Sequence, residues 1–184
     1  MGKIYSEIDA KLAAWIEQQH LFFVGSAPLA AEGHVNVSPK GDLRWFRILG
    51  PAEVAYLDFV GSGAETIAHA RENERIVLMF CAFEGPPRVV RLHGRAEALA
   101  PDDPLAERFD LPEHHVRSVI RVDVERIADS CGYGVPLMRF EAKRTQYDAW
   151  MEKKLRDDAL DAYVAEKNAL SIDGLPAVGS DTVV

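Results

Sequence analysis

The sequence predicts an α+β protein built around an antiparallel barrel. About six strand-like segments follow one another, most with no helix between them, which is the wrong order for a doubly wound parallel sheet. A few helical segments flank them. The chain has 184 residues, 48% hydrophobic and 27% charged, which suits one ordinary domain with a core that needs no staples.

Taken in order, residues 7–19 place Ile8, Leu12, Trp15 and Ile16 on one helical face. Residues 21–27 and 34–38 alternate as two strands around a turn holding Pro28 and Gly33. Residues 44–49 and 53–59 give two further strand pieces, broken at Gly50-Pro51. A helix follows at about 63–73, and the apolar run 76–83 has the composition of a buried strand. Past the Pro86-Pro87 turn, residues 88–99 form a strand in which Gly94 marks a bulge or a close backbone approach. Residues 101–116 make a helical excursion or loop, and 117–128 alternate as a last long strand.

Residues 130–136 form a tight glycine-rich loop in which Cys131 is expected to be a buried small residue. Residues 142–168 predict one long helix, with Tyr147, Trp150, Met151, Leu155, Ala159 and Tyr163 along its packing stripe. From Leu170 the tail is an extended arm. The whole chain, 1–184, is expected to be a single domain, with the barrel core at about 20–130 and the C-terminal helix and tail at 137–184.

Acids outnumber bases 29 to 21, giving a net charge of -8. That excess repels a nucleic-acid backbone but leaves room for a phosphorylated small molecule, which needs only local donors. No run approaches the roughly 18 apolar residues of a membrane span. The amino end is amphipathic and carries acids, so no signal peptide is expected there. A cytoplasmic protein with no membrane partner is expected. Cys81 and Cys131 carry neither metal-ligand nor redox spacing; two reduced thiols are expected, with one disulfide formally open. His114 and His115 are adjacent and would diverge on a helix, so no metal site is expected. No motif identifies a catalytic acid, base or nucleophile.

Three segments could carry chemistry. The stretch 34–41 alternates and ends in Ser38-Pro39-Lys40-Gly41, placing a hydroxyl and a cation together at a strand end. That suits a phosphate, although a hairpin turn with a solvated lysine uses the same residues. The junction 61–66 lies between a strand and a helix, where free amides favour an anion, with Ser62 and Thr66 as side-chain donors. A capping box between Ser62 and Glu65 explains the same residues. In the strand 88–94, Arg88 shares one face with Val90, and Arg91 shares the other with His93, so one face either lines a polar cleft or meets solvent.

The segments 34–41, 54–83 and 86–99, in this order and spacing, resemble the pyridoxamine 5′-phosphate oxidase-like flavoproteins over about residues 20–130. The loop at 130–136, the helix and the tail at 171–176 look like those of a bacterial branch of that family. The resemblance implies a six-stranded split β-barrel with flanking helices, a homodimer, and FMN held between the subunits. It places the flavin-contacting strand on Val35, Asn36, Val37, Ser38 and Lys40, with Lys40 facing the phosphate. The family's serine–arginine–lysine motif falls on Ala64-Glu65-Thr66, where both cations are missing. The phosphate is then expected to rely on Ser38, Lys40, Thr66 and the amides beside Ser62. The family's arginine–glutamine pair falls on Arg88-Val89, so Arg88 and Arg91 remain without the glutamine. The implied function is an FMN-dependent oxidoreductase acting on an unidentified small molecule. Its alternatives are a flavin carrier or sensor, or a related barrel that holds deazaflavin or heme.

Overall fold

A computed structural model describes residues 2–110 and 116–179; His114 and His115 lie outside the described residues. Among the described residues eight strands form one antiparallel sheet. They are β1 (Ile4–Tyr5), β2 (Leu21–Ser26), β3 (Asn36–Gly41), β4 (Phe46–Gly50), β5 (Glu53–Phe59), β6 (Arg75–Cys81), β7 (Val89–Leu99) and β8 (Val116–Ser130). Four helices flank them: α1 (Ala10–Glu17), α2 (Glu65–Asn73), α3 (Gln146–Arg156) and α4 (Leu160–Lys167). The strand order is β3-β2-β6-β7-β8-β5-β4, with β1 added to β8.

The sheet curls. Phe22 of β2 and Phe46 of β4 sit near opposite ends of the strand order, yet their rings are 5.3 Å apart. Phe80 of β6 and Tyr56 of β5 join them at 5.4 Å from Phe22. These rings are buried and form the heart of the main core, into which α1 drops Leu12 and Ile16. Burying one such ring contributes about 2–3 kcal/mol. Asp9 caps α1 by accepting from the Leu12 amide at 2.7 Å. A smaller cluster, with Ala55, Leu57, Phe109 and Val119, covers the other face of β5 and β8.

This α+β architecture, a curled antiparallel sheet with flanking helices, accords with a split barrel, with three corrections. Among the described residues there are eight strands rather than six: the two-residue β1 is too short to leave a periodic pattern, and the pieces on either side of Gly50-Pro51 are two separate strands, β4 and β5. The long C-terminal helix is two helices. The chain breaks at Asp158, whose φ of 47° is left-handed, so the hydrophobic stripe continues across a corner. Met151 and Leu160 from the two sides of that corner meet Val60. Cys131 is exposed rather than buried, because the turn tucks in Gly132 instead.

Gly94 sits at a bulge between β7 and β8, and a Cβ there would fall 2.0 Å from the Asp123 carbonyl oxygen. The close approach read from the sequence is therefore real. Among the described residues no helix is long and apolar enough to cross a membrane.

Candidate functional site

Among the described residues β3 is an edge strand paired with β2, which leaves its outer edge open. Asn36, Ser38 and Lys40 point to the half-buried side, while Val37 and Pro39 are exposed. Where β3 faces the end of β5 and the start of α2, an open cleft of about 330 Å³ forms. Val37, Ser38, Lys40, Ser62 and Thr66 line it, so five of the predicted site residues are brought together.

The floor of the cleft is charged. Lys40 Nζ donates to Asp58 Oδ1 at 2.7 Å, and Arg117 Nε donates to Asp58 Oδ2 at 2.6 Å. The Asp58 side chain is fully buried, that of Arg117 is 7% exposed and that of Lys40 24%. Burial alone would raise the Asp58 pKa, but the fields and hydrogen bonds of Lys40 and Arg117 hold it below the ordinary aspartate value. Two cations around one carboxylate leave a net positive charge. Arg117 Nη1 is buried with no hydrogen-bond partner among the described residues.

Arg117 reaches Asp58 because the β5–β8 ladder slips. Ser118 opposes Asp58 and Val116 opposes Phe59, so Arg117 is the extra residue of a β-bulge. A bulge re-aims a side chain that regular alternation would carry to the other face.

Behind the cleft lies a neutral network. Asn36 Nδ2 donates to Ser26 Oγ at 3.2 Å and to Thr66 Oγ1 at 3.1 Å, while its Oδ1 accepts from Ser38 Oγ at 3.0 Å. Ser26 Oγ and His69 Nδ1 share a hydrogen bond of 3.0 Å. His69 is fully buried, and burial lowers its pKa below 6.5 although Glu65, Glu72 and Asp173 oppose the shift. Asn36 thus links Ser26, Ser38 and Thr66 behind the cleft and is not among the residues that line it.

The predicted capping box does not form. Ala64 caps α2 without any side-chain bond, and Glu65 Oε1 accepts from the backbone N–H of Ile172 at 3.3 Å. Ser62 is left exposed at the rim of the cleft. The tail does more than extend: Asp173 accepts from the His34 amide and meets its ring at 2.7–2.8 Å, and just before the tail, at the end of α4, Asn168 donates to Gly61 O at 2.7 Å. The second contact holds Gly61, which lines the cleft.

The remaining predicted residues lie elsewhere. Val35 precedes β3 and is exposed. Arg88 donates to Tyr5 Oη at 2.7 Å and stacks over Trp15, while Arg91 donates to Ser130 Oγ at 3.2 Å. Neither arginine lines the cleft. Sequence reasoning missed Asp58 and Arg117. The signal for Asp58 was a lone acid in the otherwise apolar run 54–60; the bulge that turns Arg117 has no local signature. Among the described residues no group of acids, histidines and cysteines could hold a metal.

The family model for pyridoxamine 5′-phosphate oxidase matches residues 8–131. The chain is 36% identical over 198 residues to a pyridoxamine 5′-phosphate oxidase family protein of Aspergillus flavus, covering 98% of this chain and 79% of that protein. Solved structures share the fold at lower identity. HupZ of Group A Streptococcus is 23% identical with a TM-score of 0.50, over 65% of this chain and 91% of that one. A candidate pyridoxamine 5′-phosphate oxidase of Lactobacillus delbrueckii is 17% identical with a TM-score of 0.51, over 68% and 98%. The core strands that build the cleft lie within the matched span, and the chain belongs to the pyridoxamine 5′-phosphate oxidase family.

Proposed function

We propose that this chain is an FMN-binding flavoprotein, an oxidoreductase on a small molecule, working as a homodimer with the flavin between subunits. The observation that carries the reading is the cationic pair Lys40 and Arg117 around the buried Asp58, at the floor of an open cleft.

The donor set fits a flavin nucleotide. Lys40, Arg117, Ser38 and Thr66 supply polar atoms for a phosphate and a polyol chain, and Val37, Pro39 and Phe59 supply apolar surface for a ring. A cleft of about 330 Å³ is at the small end for ligand sites, which favours completion by a second subunit. The exposed apolar side chains Val35 and Val37 beside it are suited to that contact. When bound, FMN would supply the hydride and electron transfer, while the chain's residues hold and orient it.

Reconstitution with FMN followed by dialysis tests this reading. The expected result is a yellow protein with one flavin per chain, a dimer by sedimentation, whose flavin is bleached anaerobically by a reduced nicotinamide. A flavin that stays bound and is never reduced by any small donor makes the chain a carrier or sensor. A protein that takes deazaflavin or heme and refuses FMN overturns the cofactor assignment.

A further inference from the structure

The start of α2 is a poor place for a phosphate in this chain. The positive end of a helix attracts an anion, but here the first residue, Glu65, is itself an anion lining the cleft. Thr66 Oγ1 accepts from Asn36 and keeps a single proton to donate, which does not offset the adjacent carboxylate. An incoming phosphate would meet a carboxylate where cations are needed.

The β8 bulge offers the opposite. It turns Arg117 inward, where the guanidinium spends Nε on Asp58 and keeps Nη1 buried and unpartnered. Buried polar groups almost always find partners, and Arg117 lines the cleft with one enclosed guanidinium nitrogen unpaired, so its hydrogen-bonding capacity is not spent on Asp58 alone. Lys40 approaches the same carboxylate from β3, so the two cations are fixed in place by one shared anion. Two cations against one carboxylate suit an oxyanion, and a planar guanidinium can bind it with directed N–H donors.

We propose that Arg117 is the anion anchor of the cleft, receiving a phosphate oxyanion together with Lys40 while Asp58 holds both cations in position. The proposal rests on the reading of this cleft as a ligand site and does not require the ligand to be a flavin. The phosphate can belong to FMN itself or to a separate phosphorylated molecule.

The test compares wild type with Arg117→Gln and Arg117→Lys in two measurements. The first is the thermal shift produced by inorganic phosphate over chloride at matched ionic strength. Wild type gains melting temperature in phosphate, Arg117→Gln loses that gain, and Arg117→Lys keeps part of it. The second is flavin fluorescence quenching with FMN and with riboflavin. If the phosphate is that of FMN, Arg117→Gln weakens FMN about tenfold or more and leaves riboflavin unchanged. If it is that of another molecule, both flavins bind as in wild type, and the phosphate response in the presence of riboflavin is what disappears. If wild type binds neither flavin, the flavin reading fails, and the phosphate measurement alone decides Arg117. Should Arg117→Gln fail to fold, Arg117→Gln with Asp58→Asn removes the stranded carboxylate and is compared in the same way. An unchanged phosphate response together with an unchanged FMN-to-riboflavin ratio in a folded Arg117 variant overturns the proposal.

Discussion

Lys40 of β3 and Arg117 of β8 share a single carboxylate, Lys40 reaching Asp58 Oδ1 at 2.7 Å and Arg117 reaching Oδ2 at 2.6 Å. The three strands that carry them are not consecutive in the sheet, so this one acid ties the edge strand β3 across the cleft to the β5–β8 ladder. The arrangement is structural and electrostatic at once, and the two roles separate by substitution.

Replacing Asp58 by Ala strands two cations, one of them deeply buried. Removing one partner of a buried ion pair costs about 3–5 kcal/mol, and urea unfolding of Asp58→Ala should show a loss of that size. The pH dependence has a fixed sign. The folded pKa lies below the ordinary value of 3.8, so the stabilisation is complete above about that pH and is lost as pH falls toward the folded value. Wild type should therefore weaken below about pH 4 more steeply than Asp58→Asn. Equal slopes would mean that Asp58 is not the charged centre of the triad.

Tyr56 is buried and its hydroxyl has no partner among the described residues. Its ring packs edge-on against Phe22 at 5.4 Å, and burial together with the Asp58 charge pushes its pKa well above 10. A buried hydroxyl without a partner costs about 1–3 kcal/mol, so Tyr56→Phe keeps the ring and removes the cost. A gain of about 1 kcal/mol is expected, or about 2–4 °C in melting temperature. A clear loss instead would reveal an acceptor that the hydroxyl meets in solution.

His69 predicts a second, milder acid sensitivity. Burial lowers its pKa below 6.5, so below about pH 6.5 the unfolded chain takes a proton that the folded chain refuses. Stability is fully present above that pH and falls as the solution is acidified toward the folded pKa. His93 acts in the same direction, through burial and the nearby Arg126 and Arg91. His69→Asn retains a side-chain partner for Ser26 and should flatten part of the decline between about pH 7 and about pH 5. A melting curve series with the same slope in both proteins removes His69 from the account.

The sheet was legible because alternation is a local property. β5 coincides with the predicted 53–59, and β7 begins one residue inside the predicted 88–99. β3 was misplaced: it runs Asn36–Gly41 rather than 34–38, because His34 is held by Asp173, far along the chain, instead of by the sheet. The helix break at Asp158 escaped because the apolar stripe serves both α3 and α4 against the same Val60 surface. Ser62 and Glu65 have the spacing of a capping box, but the tail brings the Ile172 amide within reach of Glu65, and that contact wins. The cleft was legible as a strand end and a helix start. Its charged floor was not, because it depends on a one-residue slip in register between β5 and β8.

Glu65 separates helix stability from ligand charge. It lies in the first turn of α2, where a carboxylate interacts favourably with the helix dipole by about 0.3–1 kcal/mol. Glu65→Gln keeps a side-chain oxygen for the Ile172 amide and removes only the charge. The variant should therefore lose no more than about 1 kcal/mol of stability, with the tail still docked. In the cleft the same change removes the carboxylate that opposes an anion drawn to Lys40 and Arg117. Inorganic phosphate should bind a few-fold tighter to Glu65→Gln, and the difference should shrink as salt rises, because a partly exposed charge is screened within roughly 10 Å at about 0.1 M. A salt-independent gain would point to a change of shape rather than charge. Weaker phosphate binding at low salt would mean that the Glu65 carboxylate orders the cleft, and that the anion is held against it by more than the two cations.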